Sequence, residues 1–526
     1  MMVLMPPPLI LWESIQNFAA FFIFFWLLAV VAHHMFCRKF TWYQNKVLQG
    51  SIQVSFGRIY LTSHSLNAPI QAIGSWPRLV KLWRIWFICG VIVSSILIIP
   101  VFLFLIYLFI GHTVRLMRWY YVVPVSSVSS ASPIFVPSTT PSVSVSLMPI
   151  VPGVNLPVPN ILPFFISLLF STFFHELGHG LSAASEYTDV DGVGVALLGV
   201  FPAAFVVVKN LDSQALARQL RIMAAGVWHN IVLAVFAAFL LWNMPAIINP
   251  FFPQGRGVTI VGLIESRAVS NHTIAFHRGM EIYSINNCSV SSPKSLERCS
   301  INYTKPGFCL SVDQMKQARD DFLPPVQVGS TGSTVLECCK NLSSSLCFRE
   351  DAAISSPECL QVRKVIQGTT SSQPRQHQPI PRRCNSSLDC SDSQCYIPYL
   401  GSSERLLIFN TSTGPVLFVG DSYGLLRSLR VSIYAQGSWL PLWLPDVLEM
   451  TLKYFVSISA ALAVLNLVPS FGLDGCRFAE LWLSLLFRYG FLPARFSRFQ
   501  SRIVQILTVV STFFLVADIL LGFTQM

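Results

Sequence analysis

Apolar residues along this chain gather in long unbroken runs, without the one-sided spacing of a surface helix. Six runs, near 15–36, 85–110, 161–185, 220–248, 447–468 and 503–523, each approach or exceed the roughly 20 residues that a helix needs to cross a bilayer. They predict a polytopic α-helical membrane protein with about six spans. Three stretches break the pattern. Residues 192–208 (GVGVALLGVFPAAFVVV) are apolar but mix Gly and Pro with Val, which makes a poor helix. They predict a re-entrant β-hairpin, because irregular backbone at membrane depth needs protein or a wet cavity around it. Residues 124–160 are rich in Ser, Pro and Val and predict a flexible linker. Residues 255–440 are hydrophilic, with short Val/Ile runs punctuated by Gly, as in a β domain.

Composition agrees. Of 526 residues only 12% are charged, and mean hydropathy is +0.56; a soluble domain carries about 25% charged residues. The net charge of +11 does not point to nucleic acid, because the bases cluster at the ends of apolar runs. Residues 37–84 hold seven bases and no acid, a cytosolic signature. The lipid bilayer is therefore the expected partner, with no direct nucleic-acid contact.

Cysteine usage sets the hydrophilic domain apart. Ten of the 13 cysteines lie between Cys288 and Cys395, among six N-x-[ST] sequons at Asn271, Asn287, Asn302, Asn341, Asn385 and Asn410. An even cysteine set in sequon-rich hydrophilic sequence predicts a disulfide framework in the secretory lumen. Cys37, Cys89 and Cys476 are left as free thiols. The phrase Gly279–Asn286 (GMEIYSIN), with strands expected near 414–436, resembles a PDZ core, so the cysteine block reads as an insertion in a PDZ-like domain. The organisation is then 1–123, an N-terminal membrane region with two spans; 124–160, a linker; 161–250, the first half of a membrane core; 251–440, the lumenal domain; and 441–526, the second half of the core and the last span.

The third run contains chemistry. His175-Glu176-Leu177-Gly178-His179 is an HExxH pattern, with two imidazoles one helical turn apart, able to reach one metal. Glu176 beside them suits a general base acting on water. Such groups are costly in hydrocarbon and are usually kept there for a function. A catalytic zinc needs a third protein ligand. The candidate is Asp474, in the stretch Asn466–Gly475 (NLVPSFGLDG), where Pro469 stops a helix. Spacing leaves two roles open for Asp474: metal ligand, or N-cap of the next helix. His229 and Asn230 are polar groups in the fourth run, and interhelical hydrogen bonding is the expected role of His229. Asp518, in the last run, has no evident partner and reads as packing or pore-lining.

HELGH in a membrane run, GVWHN at 226–230 and NLVPSFGLDG at 466–475 together resemble the site-2 protease family of intramembrane zinc metalloproteases. The phrase PGVNLP at 152–157, the Ser-rich linker and the cysteine-rich lumenal insert extend the resemblance to nearly the whole chain. It implies one Zn2+ per chain held by His175, His179 and Asp474, with Glu176 as catalytic base. It also implies Asn230, Asn466 and Pro469 as supporting or substrate-holding residues. The family cleaves a membrane segment of substrates already trimmed on the lumenal side. In animals these are membrane-anchored transcription factor precursors of sterol and ER-stress signalling, cut in the Golgi. The Golgi membrane, or the ER, is therefore the expected location. From a different class, a transporter or channel with an intramembrane His/Glu/Asp path accounts for the same polar groups.

Overall fold

A computed structural model describes residues 8–122, 156–199, 201–263, 276–286, 288–301, 306–319, 325–327, 334–336, 345–351, 358–367, 383–400, 404–435, 437 and 439–523. The expected linker lies mostly outside them. Among the described residues six helices are long and apolar enough to cross a membrane: α1 (Pro8–Lys39), α2 (Val80–Val122), α3 (Ile161–Ser185), α4 (Leu216–Ile248), α5 (Leu444–Leu467) and, after the amphipathic α6 (Asp474–Arg488), α7 (Gln500–Phe523). The protein is a polytopic helical membrane protein.

The chain divides into two compact units, residues 1–242 with 448–526, and residues 243–447. In the first, the expected hairpin is present as β3 (Val190–Leu198) and β4 (Phe201–Val208). It belongs to a larger sheet. A second hairpin, β1 (Ile52–Ser55) and β2 (Arg58–Ser63), turns at Gly57 (φ +80°), and the four strands run β1-β2-β3-β4, all antiparallel. Lys209 and Asp191 pair at 2.8 Å across the open end of the β3–β4 hairpin, and this hydrogen bond holds the Asp191 carboxyl below its usual range.

Polar contacts fix the helices. At the end of α3 the buried Glu186 meets Arg221 (2.7 Å) and Arg218 (3.6 Å), from α4, and Arg84 (3.8 Å), from α2. Ser171 on α3 and Ser459 on α5 share a hydrogen bond of 2.9 Å, and Ser167 donates to the Thr451 carbonyl. Asp518 does have a partner, contrary to expectation: its Oδ1 lies 2.9 Å from His112 Nδ1, and the pair joins α7 to α2 with both side chains fully buried. Neither residue shows its partner locally, since 406 positions separate them.

The second unit holds two cores. One lies under a sheet formed by β5 (Gln254–Leu263), β6 (Glu281–Ile285), β7 (Glu404–Thr411), β8 (Gly414–Asp421) and β9 (Leu429–Tyr434), in the order β8-β7-β6-β5-β9, with residues 288–289 pairing to β6. The other belongs to a five-stranded sheet drawn from residues 307–398, between β6 and β7 in sequence. Disulfides join Cys288 to Cys299, Cys309 to Cys390 and Cys384 to Cys395; Cys347 and Cys359 are each disulfide-bonded as well. Cys37, Cys89 and Cys476 are free.

Candidate metal centre

α3 begins at Ile161 and ends at Ser185, and its small residues decide which face is covered. Gly178 lies so close to α4 that a Cβ there would sit 2.7 Å from the Ala225 carbonyl oxygen. His175 and His179 are consequently buried against α4 at 5% and 7% exposure. The backbone carbonyl of Ile222 lies 2.7 Å from His179 Nδ1. Nδ1–H donates to it, so in the neutral ring Nε2 offers a lone pair to the centre.

The third arm comes from the other half of the chain. α5 stops at Leu467, as a following proline requires, and Pro469 is buried. Gly472 takes φ +80°, which a side chain disfavours. Gly475 then packs onto the end of α5; a Cβ there would lie 2.4 Å from the Val468 carbonyl oxygen. These constraints set Asp474 as the first residue of α6, with Leu473 in the N-cap position. Asp474 is therefore not the cap. Its Oδ2 lies 2.9 Å from His175 Nε2 and 3.1 Å from His179 Nε2, and the two nitrogens are 3.2 Å apart.

Three ligand atoms converge, two of them imidazole nitrogens and one a carboxylate oxygen, a set that suits zinc. Ligands at about 2.0–2.1 Å from a tetrahedral zinc stand roughly 3.4 Å apart, close to the spacing seen. Lone pairs brought this close repel unless a proton or a metal cation lies among them. Asn230 supplies a second observation. It is fully buried, its amide nitrogen lies 3.0 Å from His175 Nδ1, and its Oδ1 has no partner among the described residues. Turning the amide over lets Oδ1 accept from Nδ1–H, which satisfies the oxygen and leaves His175 Nε2 free for a metal. A second convergence, Cys309, Cys384 and Cys390, consists of sulfurs already in disulfides and offers no thiolate.

Glu176 lies next to this centre, and its Oε2 accepts from the Val206 N–H of β4 at 3.0 Å. The hairpin is thereby linked to the HExxH helix. His229 is not a ligand. Its ring stacks between Phe87 and Phe174 (centroids 5.7 and 5.0 Å), and Nδ1 lies 3.2 Å from the Phe174 carbonyl of α3, the interhelical role expected of it. Asn466 is half-buried, two positions before the loop's Val468, and its side chain has no hydrogen-bond partner among the described residues. Thr512 of α7 also belongs to the site's surroundings, since Ser470 and Phe471 both bond its hydroxyl; a threonine in an apolar run gave no signal for this.

Two comparisons bear on this geometry. The model for peptidase family M50 matches residues 163–408. A protein of Arabidopsis thaliana named membrane-bound transcription factor site-2 protease homolog is 26% identical over 460 residues, covering 78% of this chain and 82% of the relative. Residues 163–408 are thus similar to peptidase family M50, and most of the chain is similar to a site-2 protease homolog; together with the six apolar helices, these similarities support an intramembrane metalloprotease.

Proposed function

We propose that the protein hydrolyses a peptide bond within the transmembrane segment of a membrane-anchored protein, using one zinc ion held by His175, His179 and Asp474. The observation that carries this reading is the convergence of those three ligand atoms beside Glu176 on a helix of membrane-spanning length. When bound, the zinc supplies Lewis acidity, polarising a carbonyl and bringing the pKa of water to about 7. Glu176 takes the proton from the attacking water at its carboxylate and passes it to the leaving amide nitrogen. Asn230 holds the His175 ring in its tautomer, and Ile222 does the same for His179.

A substrate helix hides its carbonyls in its own hydrogen bonds, so it must open before it can be cut. β4 is the edge strand of its sheet and suits an opened segment, which adds as a further strand. The free amide of Asn466 lies in the half of the chain that supplies Asp474 and can hold the same backbone. Pro469 ends α5 and frees the backbone for the loop. Residues 251–440 read as a lumenal PDZ-like domain with a disulfide-rich insertion, favouring substrates with short lumenal stubs. Precursors of membrane-anchored transcription factors, already trimmed on that side, meet this requirement, and the Golgi membrane, or the ER, is the location that goes with them.

The test uses purified full-length protein in lipid nanodiscs with a single-span substrate. One zinc per chain is expected in the wild type, with loss on His179→Ala. Glu176→Gln is expected to retain zinc and to lower cleavage at least 1,000-fold. Cleavage by Glu176→Gln at the wild-type rate removes the base assignment, and a wild type that binds no zinc removes the proposal.

A further inference from the structure

The loop carrying Asp474 is held in place by a helix that supplies no ligand. Thr512 of α7 lies beside it, and its hydroxyl is fully committed. Its one proton goes to the Thr508 carbonyl, at 2.7 Å within the helix. Its lone pairs then accept from the Phe471 N–H at 3.1 Å and from the Ser470 hydroxyl at 2.9 Å. Four positions earlier on the same helix face, Thr508 Oγ1 lies 3.5 Å from Cys476 Sγ. α7 therefore touches the chain on both sides of Asp474: at Ser470 and Phe471 before it, and at Cys476 after it. Ser470 and Thr508 are each 2% exposed, so water does not compete at either of these two side chains. Gly472 (φ +80°) lies between the two contacts, where the backbone is freest to swing.

We propose that Thr512 is a positioning residue for the metal centre: it acts through Ser470 and Phe471 to hold the loop in the one shape that points the Asp474 carboxylate at His175 and His179. The inference rests on the zinc reading above. It explains why a hydroxyl in an apolar helix bonds neighbouring backbone instead of being replaced by an aliphatic side chain. α7 is a firm support, because the His112–Asp518 pair anchors it to α2 one and a half turns further on.

The experiment compares wild type, Thr512→Val, Thr512→Ser and His179→Ala as full-length protein in nanodiscs. Zinc affinity is read by competition with a chromogenic chelator, and ligand geometry by the visible bands of the Co2+-substituted protein. Thr512→Val keeps the shape of the side chain but offers no hydroxyl. Zinc affinity is expected to fall 10–100-fold, the usual range for groups that orient metal ligands, with altered Co2+ bands. Thr512→Ser is expected to stay within about threefold of wild type by the same criterion. Wild-type affinity and wild-type bands in Thr512→Val overturn the proposal, even if its melting temperature falls, since that outcome is mere helix packing. If Thr512→Val does not fold, Ser470→Ala, which loses one of the two loop bonds, must weaken zinc while Thr512→Ser does not; unchanged zinc binding in Ser470→Ala overturns the proposal. Failure of the zinc reading itself looks different: wild type and His179→Ala would then be equally free of zinc.

Discussion

Gly226 of α4 faces the metal-side nitrogen of His179 with no room for a side chain: a Cβ at this position would lie 2.3 Å from His179 Nε2 and 2.5 Å from His175 Nε2. A methyl group there meets two ring nitrogens that α3 cannot move apart. Gly226→Ala is therefore expected to lower zinc binding and peptidase activity by about 100-fold, the upper end of the range for groups that orient metal ligands. Helix content should be retained. Metal analysis and circular dichroism on the same sample check this; a variant with full zinc occupancy contradicts it.

Asn230 tests the tautomer assignment. Asn230→Ala removes the partner of His175 Nδ1 and should weaken zinc about 10–100-fold. Asn230→Asp keeps an acceptor at that position and should bind zinc more tightly than Asn230→Ala. The reverse ranking contradicts an acceptor role. Chelator competition at fixed pH gives both values.

The pair His112–Asp518 makes a prediction with a sign. Leaving either partner alone in a buried site costs about 3–5 kcal/mol, so His112→Leu and Asp518→Leu should each destabilise strongly. The double variant should be less destabilised than the sum of the two. Replacing a whole buried pair by apolar groups is often near neutral. Thermal unfolding of the four proteins in one detergent completes the cycle; additive losses contradict coupling between the two residues.

Among the described residues two sequons differ in environment. Asn385 is exposed, whereas the Asn410 amide donates to Ser284 Oγ at 2.9 Å within the sheet. Endoglycosidase treatment is expected to remove a glycan from the wild type. Asn385→Gln should shift its mobility by one glycan, and Asn410→Gln should not. A protein without glycans contradicts a lumenal position for residues 251–440.

Elements set by local sequence were legible. α3 spans Ile161–Ser185 as its apolar run predicts, and β3 and β4 follow from a stretch that mixes Gly and Pro with Val. Spacing alone left Asp474 a choice between ligand and cap, because its place at the start of α6 depends on packing at Gly475; the ligand role came from the family resemblance. Partnerships over long separations were not legible. Residues 52–63 (IQVSFGRIYLTS) alternate and turn at a glycine, which marks a hairpin, but nothing in them names β3 as the strand it joins. Glu186 presents the same difficulty: an acid just past an apolar run does not reveal that three arginines from two other helices gather on it. Its burial fixes their charge at one end of the bundle, and only the packed helices show it.

His175 and Asp474 lie 299 residues apart, with the whole of the second unit between them in the chain. At about 5–20 residues per second, a ribosome makes the aspartate roughly 15–60 s after the histidine. On the proposed zinc reading, the nascent chain holds two ligands and no third for that interval. The proposed protease is then inert while its first five spans are made, and any chain cut short before residue 474 stays so.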